Sequence, residues 1–381
     1  MSLLTAPLLV AGLALTAGPP ASGKYWVYLG TYTAKNGSKG IYRCELDLKT
    51  GKLTEPTVAA EVGNPSYLTL SPNGKFLYAV GETTGTKKDG GGVYAFAVEA
   101  ATGKLTKLDE STSGGAGPCH AAIDPTGKRL LVANYNGGSW KLFRLTADGK
   151  FGQSAKFEQL SGSGPNKDRQ AAPHAHCGAF DAAGKKFFVV DLGTDRVWWY
   201  EIDAEKGPNG SLSVIICPPI KMPAASGPRH IDFTPAGDVA FVCGELDCTV
   251  SVARFDKQLE MFRVVQSLPT LPSGKPTPRD STAAIHIHPN GKFVYVSNRG
   301  HNSIAAFQWD RKKLTPIGHA AEGIKNPRDF DIDPTGRWMV VANQDGNDLV
   351  VFEIGADGLP KPTGTKVAVP RPVCVKFLAK P

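Results

Sequence analysis

Apolar residues recur along this chain in short runs, each set off by a turn, and the arrangement returns about every 50 residues. Asn64-Pro65 leads into Ser71-Pro72-Asn73-Gly74-Lys75 and the run Phe76 to Val80. Gly117-Pro118 leads into Asp124-Pro125-Thr126-Gly127-Lys128 and the run Leu130 to Ala133. The alternation at Tyr67, Leu68 and Leu70 fits a half-buried strand, and the Pro-Asn-Gly-Lys turn puts glycine where positive φ is needed. A near-continuous apolar run such as Phe76 to Val80 fits a strand buried on both faces. Gly92 to Val98 supplies a third strand, and the turn Ala101-Thr102-Gly103-Lys104 leads into a fourth at Leu105.

The phrase returns around Gly184, Gly237, Gly291 and Gly336, and the chain ends make one more unit. Lys24 to Gly30 matches Lys75 to Gly81. Gly40-Ile41-Tyr42 and Thr50-Gly51-Lys52-Leu53 match the third and fourth strands, and the missing first strand stands at Pro372 to Phe377. Four strands per repeat make a propeller blade. The pattern predicts an all-β, seven-bladed β-propeller of four-stranded antiparallel blades, closed by N-terminal strands plus a C-terminal strand. It forms one domain over residues 24–381, with no helix of note. Closure through both termini leaves no free blade edge.

Composition adds a compartment and a charge. The stretch Leu3 to Ala17 is apolar but too short for a comfortable membrane span, and Gly18 to Gly23 follows as a small-residue break. Residues 1–23 therefore read as a signal peptide, and export to a periplasm or medium is expected. The basic n-region is absent, since no Lys or Arg precedes Lys24. The seven cysteines show no metal-type spacing and, being odd in number, no disulfide framework. Most fall in strand patterns and read as small buried thiols; a Cys243–Cys248 bridge stays open. The formal charge of +8 suggests attraction for anions. The lysines are spread over turns rather than set in a stripe with aromatics, which argues against nucleic acid. No Gly-x-Ser-x-Gly elbow, phosphate loop or His-Glu-x-x-His occurs. A monomer with no cofactor, no metal and no membrane span in the mature chain is expected.

The turn glycine serves as a ruler for what converges on the axis. The residue eight before it begins the first strand and the residue eight after it ends the second, so a hairpin brings both to one rim. Counting back gives Ser66, Cys119, His176, Arg229, Ala283 and Arg328; counting forward gives Glu82, Tyr135, Leu192, Glu245, Arg299 and Gln344. The residues seven before the glycine, among them His120, His230 and Asp329, should point the other way on an alternating strand. One rim thus collects a histidine, three arginines and two glutamates, types that are costly to bury unpaired. Arg169, Gln170, Pro173 and His174, just before the third of these repeats, join them. The bland alternative is that such charges pair only between blades.

At these residues the chain resembles the seven-bladed lactonase family, which includes the propeller-type 6-phosphogluconolactonases and the carboxy-cis,cis-muconate cyclases. The resemblance runs from about Tyr25 to Phe377. It is carried by Gly30-Thr31-Tyr32-Thr33, Arg169-Gln170 with Pro173-His174-Ala175-His176, Asp191 to Arg196, and Gly227-Pro228-Arg229-His230. Glu245-Leu246-Asp247, Ser297 to Ile304 and Ala342-Asn343-Gln344-Asp345 continue it. The resemblance implies a cleft in which a histidine (His174 or His176, the register favouring His176), Arg229, Glu245 and Arg299 are catalytic. Hydrolysis of a sugar lactone is then the leading expectation. His176 would be the base, oriented by His174 or Glu245, with Arg229 and Arg299 as anion clamps. His174, Arg169, Gln170, Arg328, Gln344 and Glu82 would contact substrate. Cycloisomerisation of a muconate-type diacid and a non-catalytic exported binding propeller are the alternatives.

Overall fold

A computed structural model describes residues 20–33, 37–83, 91–203 and 213–381. Most of the leader-like segment lies outside the described residues. Seven antiparallel sheets follow one another, each with four strands; the fourth carries a further two-residue strand, Ile220–Lys221. We number the blades from the split one, in which Pro372–Ala379 pairs with Lys24–Thr31 and closes the ring. The remaining innermost strands are Leu68–Leu70, Pro118–Ile123, Ala175–Phe180, Pro228–Phe233, Ser281–Ile287 and Pro327–Ile332. Each packs on the next around the axis, the last on Pro372–Ala379. The seven-bladed propeller predicted from the repeat is the fold. The one helical turn among the described residues is Leu192–Thr194.

The core lies between blades. Second strands such as Val239–Gly244 and Trp338–Asn343 are buried throughout, as their unbroken apolar runs require. Aromatic side chains fill the wedges between sheets, as where Trp140, Phe187 and Tyr200 pack edge-to-face or stacked. One device repeats. The Tyr28, Tyr78 and Tyr295 hydroxyls donate to the Gly103, Gly149 and Gly358 carbonyls of the following blade, at 2.9, 3.0 and 2.7 Å. Those glycines have φ of 68°, 80° and 75°, and an aromatic ring of the preceding blade lies where a Cβ would go. Glycine is needed there for both reasons.

The innermost strands share an irregularity. In blades 3, 4, 5 and 7 the pairing skips one residue, respectively Cys119, His176, Arg229 and Arg328. Each is the residue eight before the turn glycine. A bulge of this kind leaves one residue unpaired and re-aims its side chain. It also corrects the simple alternation. His120 and His230 do not point away from the site: the His176 and His230 rings are 5.4 Å apart, and His120 and His230 are 5.3 Å apart. The extra residue breaks the two-residue period, so neighbours in sequence both reach the axis.

All seven cysteines are free thiols, and all but Cys217 are buried; Cys243 and Cys248 do not bridge. No helix of the described residues is long and apolar enough to cross a membrane.

Candidate active site

One carboxylate organises the rim. Glu245 follows the second strand of blade 5, Arg229 is the bulged residue of that blade, and Arg299 ends the second strand of blade 6. Arg169 reaches in from the loop before blade 4. Glu245 Oε1 lies 2.7 Å from Arg169 Nη2, and Oε2 lies 3.0 Å from Arg229 Nε and 3.1 Å from Arg299 Nη2. Three guanidinium groups around one carboxylate leave a net charge of 3 − 1 = +2 in the cluster.

The remaining contacts fix the arginines from behind. Arg229 Nη1 donates to the Ala283 carbonyl at 2.6 Å and sits 3.0 Å from His230 Nε2. Arg299 Nη2 donates to the Thr282 carbonyl at 2.9 Å. Arg229 Nε is close to Glu245 but is not aligned for a hydrogen bond, and Arg299 Nε is likewise buried without a hydrogen-bond partner. Unpaired buried donors are costly unless something occupies them. Burial alone would raise the Glu245 pKa, but Arg299 and Arg229, with His176 and Arg169, hold it well below the usual carboxylate range. Burial, against the pull of Glu245, brings Arg299 down to about 10. Glu245 is therefore ionised at neutral pH and cannot serve there as a proton donor.

His176 is buried on the same rim. Its Nδ1 is 3.9 Å from the Cys119 Sγ, and the Tyr135 ring meets it edge-on at 5.2 Å. Neither His174 nor Glu245 hydrogen-bonds it. His174 instead stacks on Tyr135 at 4.6 Å and places Nδ1 3.0 Å from the Tyr135 carbonyl oxygen. Tyr135 thus touches both histidines, and its hydroxyl accepts from Arg169 Nη2 at 3.1 Å. Burial, then the Arg229 charge, pushes the His176 pKa well below its ordinary value. The ring is neutral at pH 7, with a nitrogen able to accept a proton. Burial raises the Cys119 thiol far above its ordinary value, so it is not a thiolate.

The other expected residues divide. Arg328 belongs to the cleft: its charge is felt by His176 and Arg299. Glu82 accepts from the Tyr32 hydroxyl at 2.9 Å. Gln344 Nε2 donates to Asp345 at 3.3 Å, while its Oε1 is buried without a partner. Gln170 is not open to a ligand. It is fully buried, and its amide bonds Leu192 O, Asp195 Oδ1 and Asn166 N, bracing the loop that carries Arg169. Tyr32 and Tyr135 line the site without having been singled out. Tyr135 stands in the ruler register but is not charged. Tyr32 lies in the split blade, where no turn glycine joins first strand to second and the ruler has no origin.

A family model described as lactonase, 7-bladed beta-propeller, matches residues 26–377. A Bacillus subtilis (strain 168) protein named 6-phosphogluconolactonase is 35% identical over 364 residues, covering 93% of this chain and 99% of its own length. A Formosa agariphila protein of the same name is 33% identical, covering 86% of this chain and 91% of its own. Among solved structures, a periplasmic gluconolactonase from Pseudomonas aeruginosa superposes with a TM-score of 0.85 at 28% identity. It covers 94% of this chain and 100% of its own.

Proposed function

The chain belongs to the seven-bladed β-propeller lactonase family, and on that premise we propose that it opens the ring of a sugar lactone, a carboxylic-ester hydrolysis. The observation that carries the residue roles is the convergence of a neutral buried imidazole with three arginines on one carboxylate. In this reading His176 takes a proton from water as the water oxygen attacks the lactone carbonyl. The carbonyl oxygen becomes an oxyanion, held by Arg229 and Arg299, of which Arg299 keeps a buried Nε–H without a protein partner. The ring C–O bond then breaks, and His176 returns its proton to the leaving ring oxygen. The product is an open hydroxy acid, which ionises and releases one proton.

Glu245 acts as a positioning residue. Its charge holds three cations at one point, where they would otherwise repel. His174, Arg169, Gln344, Glu82 and Arg328 are proposed around the substrate, and Gln170 behind Arg169. The reaction needs no metal, because the arginines supply the charge at the oxyanion. Export of the chain is proposed from the leader-like segment 1–23 and from the periplasmic relative. The mass of the mature N-terminus tests it: a chain retaining residues 1–23 overturns export.

The test of function is proton release at constant pH from a panel of phosphorylated and unphosphorylated sugar lactones, with and without chelator. Release that survives chelator and is lost in His176→Ala supports the whole reading. Release lost to chelator overturns the metal-free part. No release from any lactone overturns the lactonase reading and turns attention to muconate-type diacids.

A further inference from the structure

Away from the Glu245 cluster, the rim holds two more guanidinium groups, neither in an ion pair among the described residues, though the Glu82 and Glu245 charges act on Arg328. Arg328 lies over the Tyr32 ring, 5.2 Å from its centroid, and Arg371 approaches the same ring at 5.9 Å. Neither guanidinium makes an ion pair or a hydrogen bond among the described residues, and Arg371 Nε is buried without a partner. Gln344 Oε1 is also buried and unpaired. The Tyr32 hydroxyl is held by Glu82, so the ring is a fixed platform.

The backbone of Arg371 makes its side chain conspicuous. It precedes the innermost strand of blade 1, as Asn64, Gly117, Gly227 and Asn326 precede those of blades 2, 3, 5 and 7. All five have positive φ, at 43° for Arg371 and 46°, 62°, 56° and 50° for the others. Glycine and asparagine tolerate that region; a long side chain does so at a cost, and such strain collects at functional sites. The backbone contacts do not need arginine. Arg371 N donates to Asn347 Oδ1 at 3.1 Å, and its carbonyl accepts from Tyr32 N at 3.1 Å, as any residue could.

We propose that Arg328 and Arg371, arrayed on Tyr32, form a second anion subsite that takes a phosphate monoester carried by the ligand away from its ester ring. A phosphate monoester carries up to two charges and three acceptor oxygens at pH 7, which suits two arginines that form no ion pair among the described residues. Arg328 makes the direct contact, and Arg371 adds the second charge. The Glu245 cluster is left to the carbonyl. The proposal rests on the lactonase reading only for the remainder of the ligand.

Calorimetric titration of the full chain with 6-phosphogluconate and with gluconate tests it without turnover. The wild type is expected to bind the phosphorylated acid at least about tenfold more tightly. Arg328→Gln should abolish most of that preference, and Arg371→Asn should cut it about threefold, each weakening 6-phosphogluconate by that much more than gluconate. Arg371→Asn installs the residue used at the same position in blades 2 and 7, so its melting temperature should hold or rise. No preference in the wild type, no binding of either acid, or equal weakening of both acids in the variants overturns the proposal. So does a lower melting temperature in Arg371→Asn with the preference intact, which assigns Arg371 to structure. Retained phosphate preference in a chain that opens no lactone refutes the lactonase reading and leaves the subsite standing.

Discussion

At the scale of single residues, the site is governed by an imbalance of charge. Glu245 is the common partner of Arg169, Arg229 and Arg299, so removing it leaves three guanidinium groups facing one another. Arg169 is the most exposed of these and is partly screened, whereas Arg229 and Glu245 are buried. Glu245→Gln should therefore destabilise by about 3–5 kcal/mol, as breaking a buried pair does. Arg169→Ala should cost less than about 1 kcal/mol, as an exposed pair does. Denaturant unfolding of the two variants compares them, and an equal loss would show that Glu245 is not the organiser. His176→Ala should lower kcat by about 100-fold or more with little change in KM, since a base acts in the transition state and not in binding. Because burial and then Arg229 push the His176 pKa down, the acid limb of the kcat/KM profile should lie below 6.5. Arg229→Gln removes one of those two causes, so the limb should move to higher pH. A limb that stays in place would separate His176 from the reaction.

At the scale of the element, the hairpin was legible and its distortion was not. Turn glycines fix the register, so Arg229, Glu245, Arg299 and His176 could be brought to one rim by counting alone. Counting cannot detect an extra residue inside a strand. The bulges at Cys119, His176, Arg229 and Arg328 therefore went unread, and with them the inward turn of His120 and His230. A bulge has no fixed composition, which is the physical reason. The same limit hid Gln170: a loop glutamine beside an arginine reads as a ligand contact until its amide is seen bonded to Leu192 and Asp195. Backbone approach is a further feature of the loops. A Cβ on Gly193 would run into the Ala172 carbonyl and the His174 nitrogen. Gly193→Ala should push the segment Ala172 to His174 aside and disturb the Tyr135–His174 stack and its neighbour His176. The expected result is a loss of activity at least about tenfold with the fold retained, since small misplacements of catalytic groups are costly. Activity assay and circular dichroism of the same sample check this; unchanged activity would mean that the loop yields without moving the histidines.

At the scale of the whole molecule, the ring of blades brings seven innermost strands around one axis. Closure depends on Pro372–Ala379, which lies far from its partner Lys24–Thr31 in sequence and next to it in the sheet. That pairing could be read because the N-terminal unit lacked one strand and the C-terminal unit had one to spare. Histidines buried in separate blades give the fold a pH dependence. Burial lowers the pKa of His120, His176, His230 and His288 below their ordinary 6.5. A depressed histidine is neutral when folded but binds a proton when unfolded. Each therefore withdraws stability as pH falls through 6.5, by up to about 1.4 kcal/mol per pH unit. His286, which burial pushes down but Asp329 and Asp331 raise on balance, takes its proton first in the folded state and so acts in the opposite sense. Asp232 and Asp331, raised by burial, and Asp247, pushed up to about 6, act as His286 does, since the folded state takes their protons first. The lowered histidines, three of them pushed well below their ordinary value, outweigh His286 and the three carboxyl groups, which begin to act at lower pH, and leave the unfolded state the net proton binder just below 6.5. The denaturant midpoint should therefore be lower at pH 5.8 than at pH 7.5, by the equivalent of about 1–2 kcal/mol. His230→Gln, which removes one of the four beside Arg229, should narrow that difference. A midpoint equal or higher at pH 5.8 would mean that the raised groups, and not the lowered histidines, set the acid response of the ring.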